Sequence, residues 1–381
     1  MAAIAALYCH FPFCHLICPF CAFAVHRERR TLHRPYLDAL KAEIELRARS
    51  HGGGEPVQAL YFGGGTPSTM ALEEVAELLD WLRRFFPLTA EAEITFEVNP
   101  EDASPEYLAG LGALGINRLS LGLQSFEDET LRALGRNHSS AQSLAAVAAL
   151  RGLAPANFNF DLMCGAPGIA PTGIVAETGR AAGFLPAHIS LYWLEIEPGT
   201  PFGRDPAVRR WAEDNQEALS EAFLEAAAGL EREGYRHYEV SNFCRSGREG
   251  RQNLAVWDGG NYLGFGVGAH SHVDGLRWSN ERQIRPYQRR VNTGKFPVAH
   301  RERLSQAQKA NEFLMLGLRR DTGVDVPEWE GRFGYVWDER RKETAEKLDA
   351  RGQARWNGGT LALTPRGFLV ADAITTELMV T

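Results

Sequence analysis

The sequence predicts an α/β protein: an open (β/α)6 partial TIM barrel followed by a smaller C-terminal α+β domain of winged-helix-like layout. Three observations predict it. From about residue 57, short apolar runs alternate with longer amphipathic ones, which is the pattern of repeated βα units. Glycine-rich and polar motifs fall where the apolar runs end, the place where barrels carry their functional residues. Near residue 300 the alternation gives way to helices, a hairpin and a last helix. A chain of 381 residues is long enough for one large barrel and a companion domain.

A first strand is expected at Leu7–His10, followed by strands at Val57–Phe62, Ile94–Val98, Leu119–Gln124, Phe158–Met163 and Ile189–Ile196. Between them, helices are expected at Leu72–Phe86, Pro105–Leu114 and Gln142–Leu150, where apolar residues recur three and four positions apart. Parallel pairing of such strands requires helical crossovers, so the count comes to about six βα units. A long polar helix is expected around Arg209–Glu233. The glycine-spaced stretch Tyr262–His272 would close or lid the barrel. The resulting division is a barrel over 1–240, a closing and connecting segment over 241–300, and a C-terminal domain over 301–381. That last domain reads as helices at Gln306–Leu318 and Trp337–Arg351, a hairpin at Arg355–Leu363 and a final helix.

A hydrophobic fraction of 44% with 23% charged residues is that of a soluble globular protein and excludes disordered or collagenous classes. The formal net charge of -7 supplies no positive field for a phosphate backbone, so nucleic acid is not expected as a partner. No basic region precedes the apolar start, and no window holds the roughly 18 apolar residues that a membrane span needs. A cytoplasmic location is the expectation. Six cysteines are too few for a disulfide scaffold, and three of them within eight positions read as a metal site in a reducing compartment.

Those three are Cys14, Cys18 and Cys21, spaced CxxxCxxC directly after the first strand. Three thiolates on one tight loop can ligate three corners of a [4Fe–4S] cluster and leave the fourth iron open. An open iron can chelate the amino and carboxylate groups of S-adenosylmethionine (SAM) and supply reductive cleavage of its sulfonium. The competing reading is a zinc site, but zinc more often uses paired CxxC knuckles, and no second pair exists here. Cys9, Cys164 and Cys244 are isolated and read as buried, inert thiols.

After the second strand comes Gly63-Gly64-Gly65-Thr66-Pro67, where backbone N–H groups can approach a ligand without obstruction by side chains; a tight βα turn explains the glycines as well. Glu97, Gln124 and Asp161 sit at or near the ends of three later strands. Polar groups on apolar strands must find partners. Mutual hydrogen bonds inside the barrel are one reading and contacts to SAM the other. No residue stands out as a catalytic acid or base.

Taken in order, the motifs run from Tyr8–Cys14 through the three cysteines, GGGTP (63–67), EVNPE (97–101) and the stretch Asn117–Arg136. DLMCGAPG (161–168), HISLY (188–192), YEVSNF (238–243) and LTPRGF (363–368) follow. On these residues the chain resembles the oxygen-independent coproporphyrinogen III oxidase family, and within it the HemW-type heme chaperones, over nearly its whole length. The resemblance implies a radical SAM core with a [4Fe–4S] cluster and SAM. It further implies that Tyr8, Phe20, Gly64, Gly65, Thr66, Glu97, Gln124, Arg136 and Asp161 contact SAM.

In the oxidases of that family a fourth cysteine follows the third with one residue between; here the segment is Cys21-Ala22-Phe23. That difference resembles the chaperone branch, which binds heme and hands it to acceptor proteins. The implied partners are heme or a porphyrin, heme-accepting proteins and an electron-donor protein, with membrane contact only through partners. The alternative is an anaerobic radical SAM oxidoreductase acting on coproporphyrinogen III or a related porphyrin. The chaperone branch also carries a His-Asn-x-x-Tyr-Trp motif associated with heme, whereas this chain reads Gln252-Asn253-Leu254-Ala255-Val256-Trp257. Glutamine is a poor iron ligand beside imidazole. His270 and His272, expected near the barrel mouth, are candidates to replace it, although a hydrogen-bonded core or rim histidine is the better reading of each.

Overall fold

A computed structural model describes residues 3–153 and 157–380. Six parallel strands form the expected barrel wall: β1 (Ala6–Phe11), β2 (Val57–Gly64), β3 (Leu88–Val98), β4 (Arg118–Gln124), β5 (Phe158–Cys164) and β6 (His188–Trp193). Their period of two sorts the side chains. Leu60, Phe62, Phe96, Leu121, Phe160, Leu162, Ile189 and Leu191 are buried in one continuous hydrophobic core. The alternate positions, Tyr61, Glu97, Ser120, Asn159, Asp161 and Ser190, bond to one another across neighbouring strands and so share the barrel interior.

The crossover helices start and stop where local chemistry says they should. Ser104 and Ser139 cap the helices Pro105–Ala113 and Ser140–Arg151 by accepting from Tyr107 and Gln142 N–H groups. Leu72–Phe85 carries Glu73 and Glu74 in its first turn and Arg83 and Arg84 in its last, matching the helix dipole. Among the described residues, two of the longer crossover helices had no sequence expectation. Arg30–His51 hides its buried stripe, Tyr36, Leu37, Leu40 and Ile44, among charged residues, and Gly173–Gly183 carries few large apolar groups.

The sheet does not stop at six strands. It has twelve, adding β7 (Arg236–Glu239), β8 (Asn242–Cys244), β9 (Tyr262–Phe265), β10 (His270–Val273), β11 (Leu276–Asn280) and β12 (Val298–Arg303). The order is β12-β11-β10-β9-β1-β2-β3-β4-β5-β6-β8-β7. The stretch Tyr262–His272 therefore neither closes nor lids the barrel: β9 lies parallel to β1 on its outer side, with Ala6 opposite Tyr262. The glycines that suggested a lid are there because backbones pack closely. The expected helix around Arg209–Glu233 is two helices, Pro206–Asp214 and Gln216–Arg232, broken at Asn215.

A second hydrophobic core gathers Leu314, Leu318, Trp329, Trp337, Leu348 and Leu361. Around it stand the helices Gln306–Gly317, Val326–Phe333, Glu339–Ala350 and Ala371–Leu378, with strands β13 (Val324–Asp325), β14 (Ala354–Trp356) and β15 (Thr360–Leu363). The expected hairpin is β14 with β15; β13 and the helix Val326–Phe333 were not expected. This unit joins the barrel at edge strand β7, where Val240 N–H donates to Arg319 O and Asp321 N–H donates to Tyr238 O.

Candidate cluster and cofactor site

The three cysteines occupy the loop beyond β1, at the C-terminal end of the parallel strands. The loop is pinned from several sides. His15 Nε2 lies 2.9 Å from Asp102 Oδ1, Thr66 N–H donates to Phe13 O, and Phe202 N–H donates to Pro19 O. Beyond Cys21, Arg282 Nη2 donates to Ala22 O at 2.7 Å, and His10 Nε2 lies 2.9 Å from Ala24 O. Gly268, at φ +64°, packs where a Cβ would come within 2.6 Å of the Ala24 methyl. Only glycine fits that left-handed, crowded position.

Within the loop, Cys14 and Cys18 are buried and Cys21 is half-buried. Among the described residues no three His, Cys, Asp or Glu side chains converge on a single-ion site. The thiols nonetheless feel one another. Burial pushes the Cys14 thiol up to about 12, a Thr66 hydroxyl bond partly offsets this, and the neighbouring thiols raise it further. Cys21 is raised by burial and by Cys18, and lowered in part by Arg136 and Arg282. The raised thiols of Cys14 and Cys21, with Cys18 between them and two guanidiniums beside the loop, suit ligation to iron, whose positive charge takes the place of the thiol proton. Arg136 Nη1 donates to Cys18 Sγ at 3.4 Å, while its Nη2 donates to Asn99 Oδ1 at 2.9 Å. By contrast, Cys164 and Cys244 are buried thiols pushed up to about 12, and Cys9 is raised well above its usual range, all led by burial.

The hydrogen bonds of the glycine turn favour the tight-turn reading. The N–H groups of Gly64, Gly65 and Thr66 are bonded within the protein, to Glu97 Oε2, Phe11 O and Phe13 O. Gly65 is glycine because a Cβ there would lie 2.5 Å from the Pro12 carbonyl carbon. The tight-turn reading accounts for the glycines, and what the turn contributes to the pocket is the placement of Glu97.

Glu97 accepts from Tyr61 Oη at 2.8 Å and from Gly64 N at 3.2 Å. Asp161 accepts from Ser120 Oγ at 2.9 Å and Asn159 Nδ2 at 2.8 Å. Among the described residues neither carboxylate has a Lys, Arg or His at ion-pair distance. Burial therefore raises both. Glu97 is pushed up to about 7, with the charge of Asp161 adding to the effect. Two half-buried carboxyl groups without a cation between them form a site for a cationic ligand.

The remaining expected residues surround this pair. Tyr8 stacks on Tyr61 at 6.0 Å, and its hydroxyl bonds His10 Nδ1. Gln124 ends β4 at φ +63°, a conformation a non-glycine residue holds only at a cost. Phe20 faces a small apolar cluster with Leu134, Leu194 and Phe202. Tyr61, Asn99 and Arg282 belong to the site and were not expected. Tyr61 could have been found by counting two residues back from Gly63 along β2, but Arg282 had no sequence signal.

The helix Arg251–Trp257 lies at the opposite end of the barrel. Arg251 N–H donates to Glu93 Oε1 at 2.9 Å, and its Nη1 donates to Glu91 O. Trp257 lines a cleft of about 890 Å³ shared with Phe313, Leu316, Phe333 and His272. Gln252 is 8% exposed, and its Oε1 has no hydrogen-bond partner among the described residues. The two histidines separate. His270 begins β10 on the mouth side and is exposed, whereas His272 pairs with Tyr262 at the far end of β9. Both ring nitrogens of His272 are engaged, one with Gly260 O at 3.1 Å and one with Gly275 N at 3.2 Å.

Residues 8–172 match the Radical SAM superfamily and residues 304–370 the HemN C-terminal domain. The chain is 34% identical to the heme chaperone HemW of Mycobacterium tuberculosis strain H37Rv over 98% of its length and 94% of that relative. The chain belongs to the HemW family. A second family member, the heme chaperone HemW of Escherichia coli K12, is 34% identical over 81% of each chain. The Bos taurus mitochondrial radical S-adenosyl methionine domain-containing protein 1 is 33% identical over 93% of this chain and 84% of its own. Among solved structures, coproporphyrinogen III oxidase (HemN) from Escherichia coli superposes with a TM-score of 0.84 at 24% identity, covering 99% of this chain and 90% of that one. That likeness establishes the fold: a radical SAM partial barrel with a C-terminal domain. Membership in the superfamily brings with it a [4Fe–4S] cluster and SAM. No described helix is long and apolar enough to cross a membrane.

Proposed function

We propose that the chain is a cluster-containing, SAM-binding heme chaperone that holds heme and passes it to acceptor proteins. What supports this most is the full-length likeness to relatives named heme chaperones, joined to a third cysteine followed by Ala22 and Phe23. Cys14, Cys18 and Cys21 would hold the cluster, which when bound supplies the electron for SAM cleavage. Arg136 donates to Cys18 Sγ, and Arg282 and His10 fix the loop behind Cys21. Glu97 and Asp161 offer carboxylates to the positive charge and hydroxyl groups of SAM, with Tyr8 and Tyr61 as the stacked wall beneath.

Heme is the cargo in this reading. The helix Arg251–Trp257 and its cleft supply apolar surface through Trp257, Phe313, Leu316 and Phe333. Anaerobic reconstitution followed by hemin titration and transfer to an apo-hemoprotein tests the proposal. Hemin should bind and move to the acceptor, and coproporphyrinogen III incubated with SAM and dithionite should stay unconverted. Protoporphyrinogen IX appearing by chromatography would instead favour the oxidase reading.

A further inference from the structure

Two of the motifs, HISLY (188–192) and YEVSNF (238–243), supply none of the residues expected to contact SAM. They meet inside the barrel in a chain of buried hydrogen bonds. Gly250 N–H donates to Tyr238 Oη at 3.2 Å. Tyr238 Oη lies 2.9 Å from His188 Nε2, and His188 Nδ1 lies 2.7 Å from Asn159 Oδ1. Asn159 Nδ2 donates to Asp161 Oδ1 at 2.8 Å. Asn159, His188 and Tyr238 are 4%, 1% and 1% exposed, so water does not interrupt the chain.

The donors run in one direction. Asn159 Nδ2 donates to Asp161, so its Oδ1 faces His188 Nδ1 as an acceptor; Nε2 of the neutral ring is then free to accept, and Tyr238 Oη, itself accepting from Gly250, donates to it. The neutral imidazole then carries its hydrogen on Nδ1 and donates it to Asn159, whose amide donates to Asp161. Burial, with Arg118 adding, disfavours the imidazolium and agrees with a neutral ring. Bonds aligned head to tail polarise one another. At one end stands a carboxylate of the SAM pocket; at the other stands the residue that caps the helix Arg251–Trp257.

We propose that His188 is a positioning residue that couples the SAM pocket to the helix Arg251–Trp257 through Asn159 and Tyr238. The coupling rests on reading Asp161 as a SAM contact. A ligand that takes hydrogen-bonding capacity from Asp161 changes the pull on the Asn159 amide. Asn159 Oδ1 is the acceptor for the His188 Nδ1 hydrogen, so the imidazole follows, and with it the hydroxyl that holds Gly250. Coupling of this kind is reciprocal, so occupancy near the helix alters SAM affinity by the same factor.

The test is hydrogen exchange by mass spectrometry on the cluster-loaded full chain, with and without saturating SAM. In the wild type, SAM should slow exchange across 250–257 severalfold. Tyr238→Phe keeps the ring and removes the hydroxyl; it should bind SAM within about threefold of wild type and lose that protection. Cys164→Ala, buried at the end of β5 and with no side-chain bond to the chain among the described residues, should keep it. If Tyr238→Phe fails to accumulate, His188→Gln, which can keep only one of the two bonds, serves in its place and should lose the protection too. SAM binding with no change across 250–257 in wild type overturns the coupling but leaves the SAM pocket standing, as does protection that survives in the severed variant. Unchanged SAM affinity in Asp161→Asn overturns the pocket assignment and the coupling with it.

Discussion

Glu97 carries the clearest consequence of a single residue's surroundings. Burial and Asp161 raise its carboxyl to about 7 from 4.5. Between those values the folded chain holds the proton more tightly than the unfolded one, so this group's contribution to stability falls as pH rises through about 4.5 to 7 and levels off above. A cationic ligand needs the ionised form. SAM affinity should therefore climb by up to about tenfold per unit towards pH 7 and flatten beyond it, and Glu97→Gln should bind weakly with no such climb. Equilibrium dialysis from pH 5.5 to 8.5 checks both; a wild-type curve flat across that range would remove Glu97 from the pocket. The cysteines give a second expectation at this scale. Cys14→Ala, Cys18→Ala or Cys21→Ala should each lose the cluster signal in electron paramagnetic resonance after anaerobic reconstitution, and Cys164→Ala should retain it. The cysteine spacing made that loop legible in the sequence. What the spacing could not reveal was the support around it, because Arg282 and Gly268 lie more than 240 residues away and reach the loop only through the fold.

The elements most legible in the sequence were the parallel strands, since apolar residues alternate with polar ones on every interior-facing strand from β1 to β6. Helices with charged stripes, such as Arg30–His51, were not, because their buried face is narrow. The segment around β9 misled for a physical reason: glycines at 264, 266 and 268 suggested a stretch that closes or lids the barrel, yet each marks a close approach of packed atoms. That segment braces the cluster loop rather than covering it. Glu43, fully buried, accepts from Gly266 N–H, Asn280 Nδ2 and Tyr287 Oη, locking the brace to the helix Arg30–His51. Gly268→Val should force Ala24 aside and adopt a strained φ; we expect a loss of about 1–3 kcal/mol and a cluster that bleaches faster in air, measured at 410 nm. An unchanged bleaching rate would mean that the brace does not hold the loop. The helix Arg251–Trp257 carries its own expectation. With glutamine at 252, heme should bind loosely, and Gln252→His should tighten it and shift the spectrum towards histidine ligation. If wild type already binds tightly and His270→Ala abolishes this, the iron ligand is at the mouth.

On the scale of the whole molecule, the sheet of twelve strands and the second core meet along edge strand β7 and again at β11, where Arg277 Nη1 donates to Glu312 Oε1 at 2.6 Å. β7 pairs on its inner side with β8 and meets the C-terminal unit on the other, through Val240 with Arg319 and Tyr238 with Asp321. Arg236 adds two bonds to Asp321, at 2.5 and 2.8 Å. That ion pair is half exposed on the arginine side, and such pairs contribute under about 1 kcal/mol. The apolar core of the C-terminal unit is a larger source of stability. Trp329 is fully buried, donates Nε1–H to Ala310 O at 3.0 Å and meets Trp337 edge to face at 5.7 Å. Removing a buried aromatic of this kind costs about 3–5 kcal/mol, a large share of the ~5–15 kcal/mol that holds a typical domain together. If the two cores are separate cooperative units divided near residue 303, Trp329→Ala should split thermal unfolding into two transitions, the first from the C-terminal unit. The barrel should still load its cluster and bind SAM between them, while Asp321→Ala shifts the profile only slightly. Calorimetry with SAM titration at an intermediate temperature decides the matter. A single transition that takes SAM binding with it would mean that the contacts at β7 and β11 make one folding unit of the whole chain.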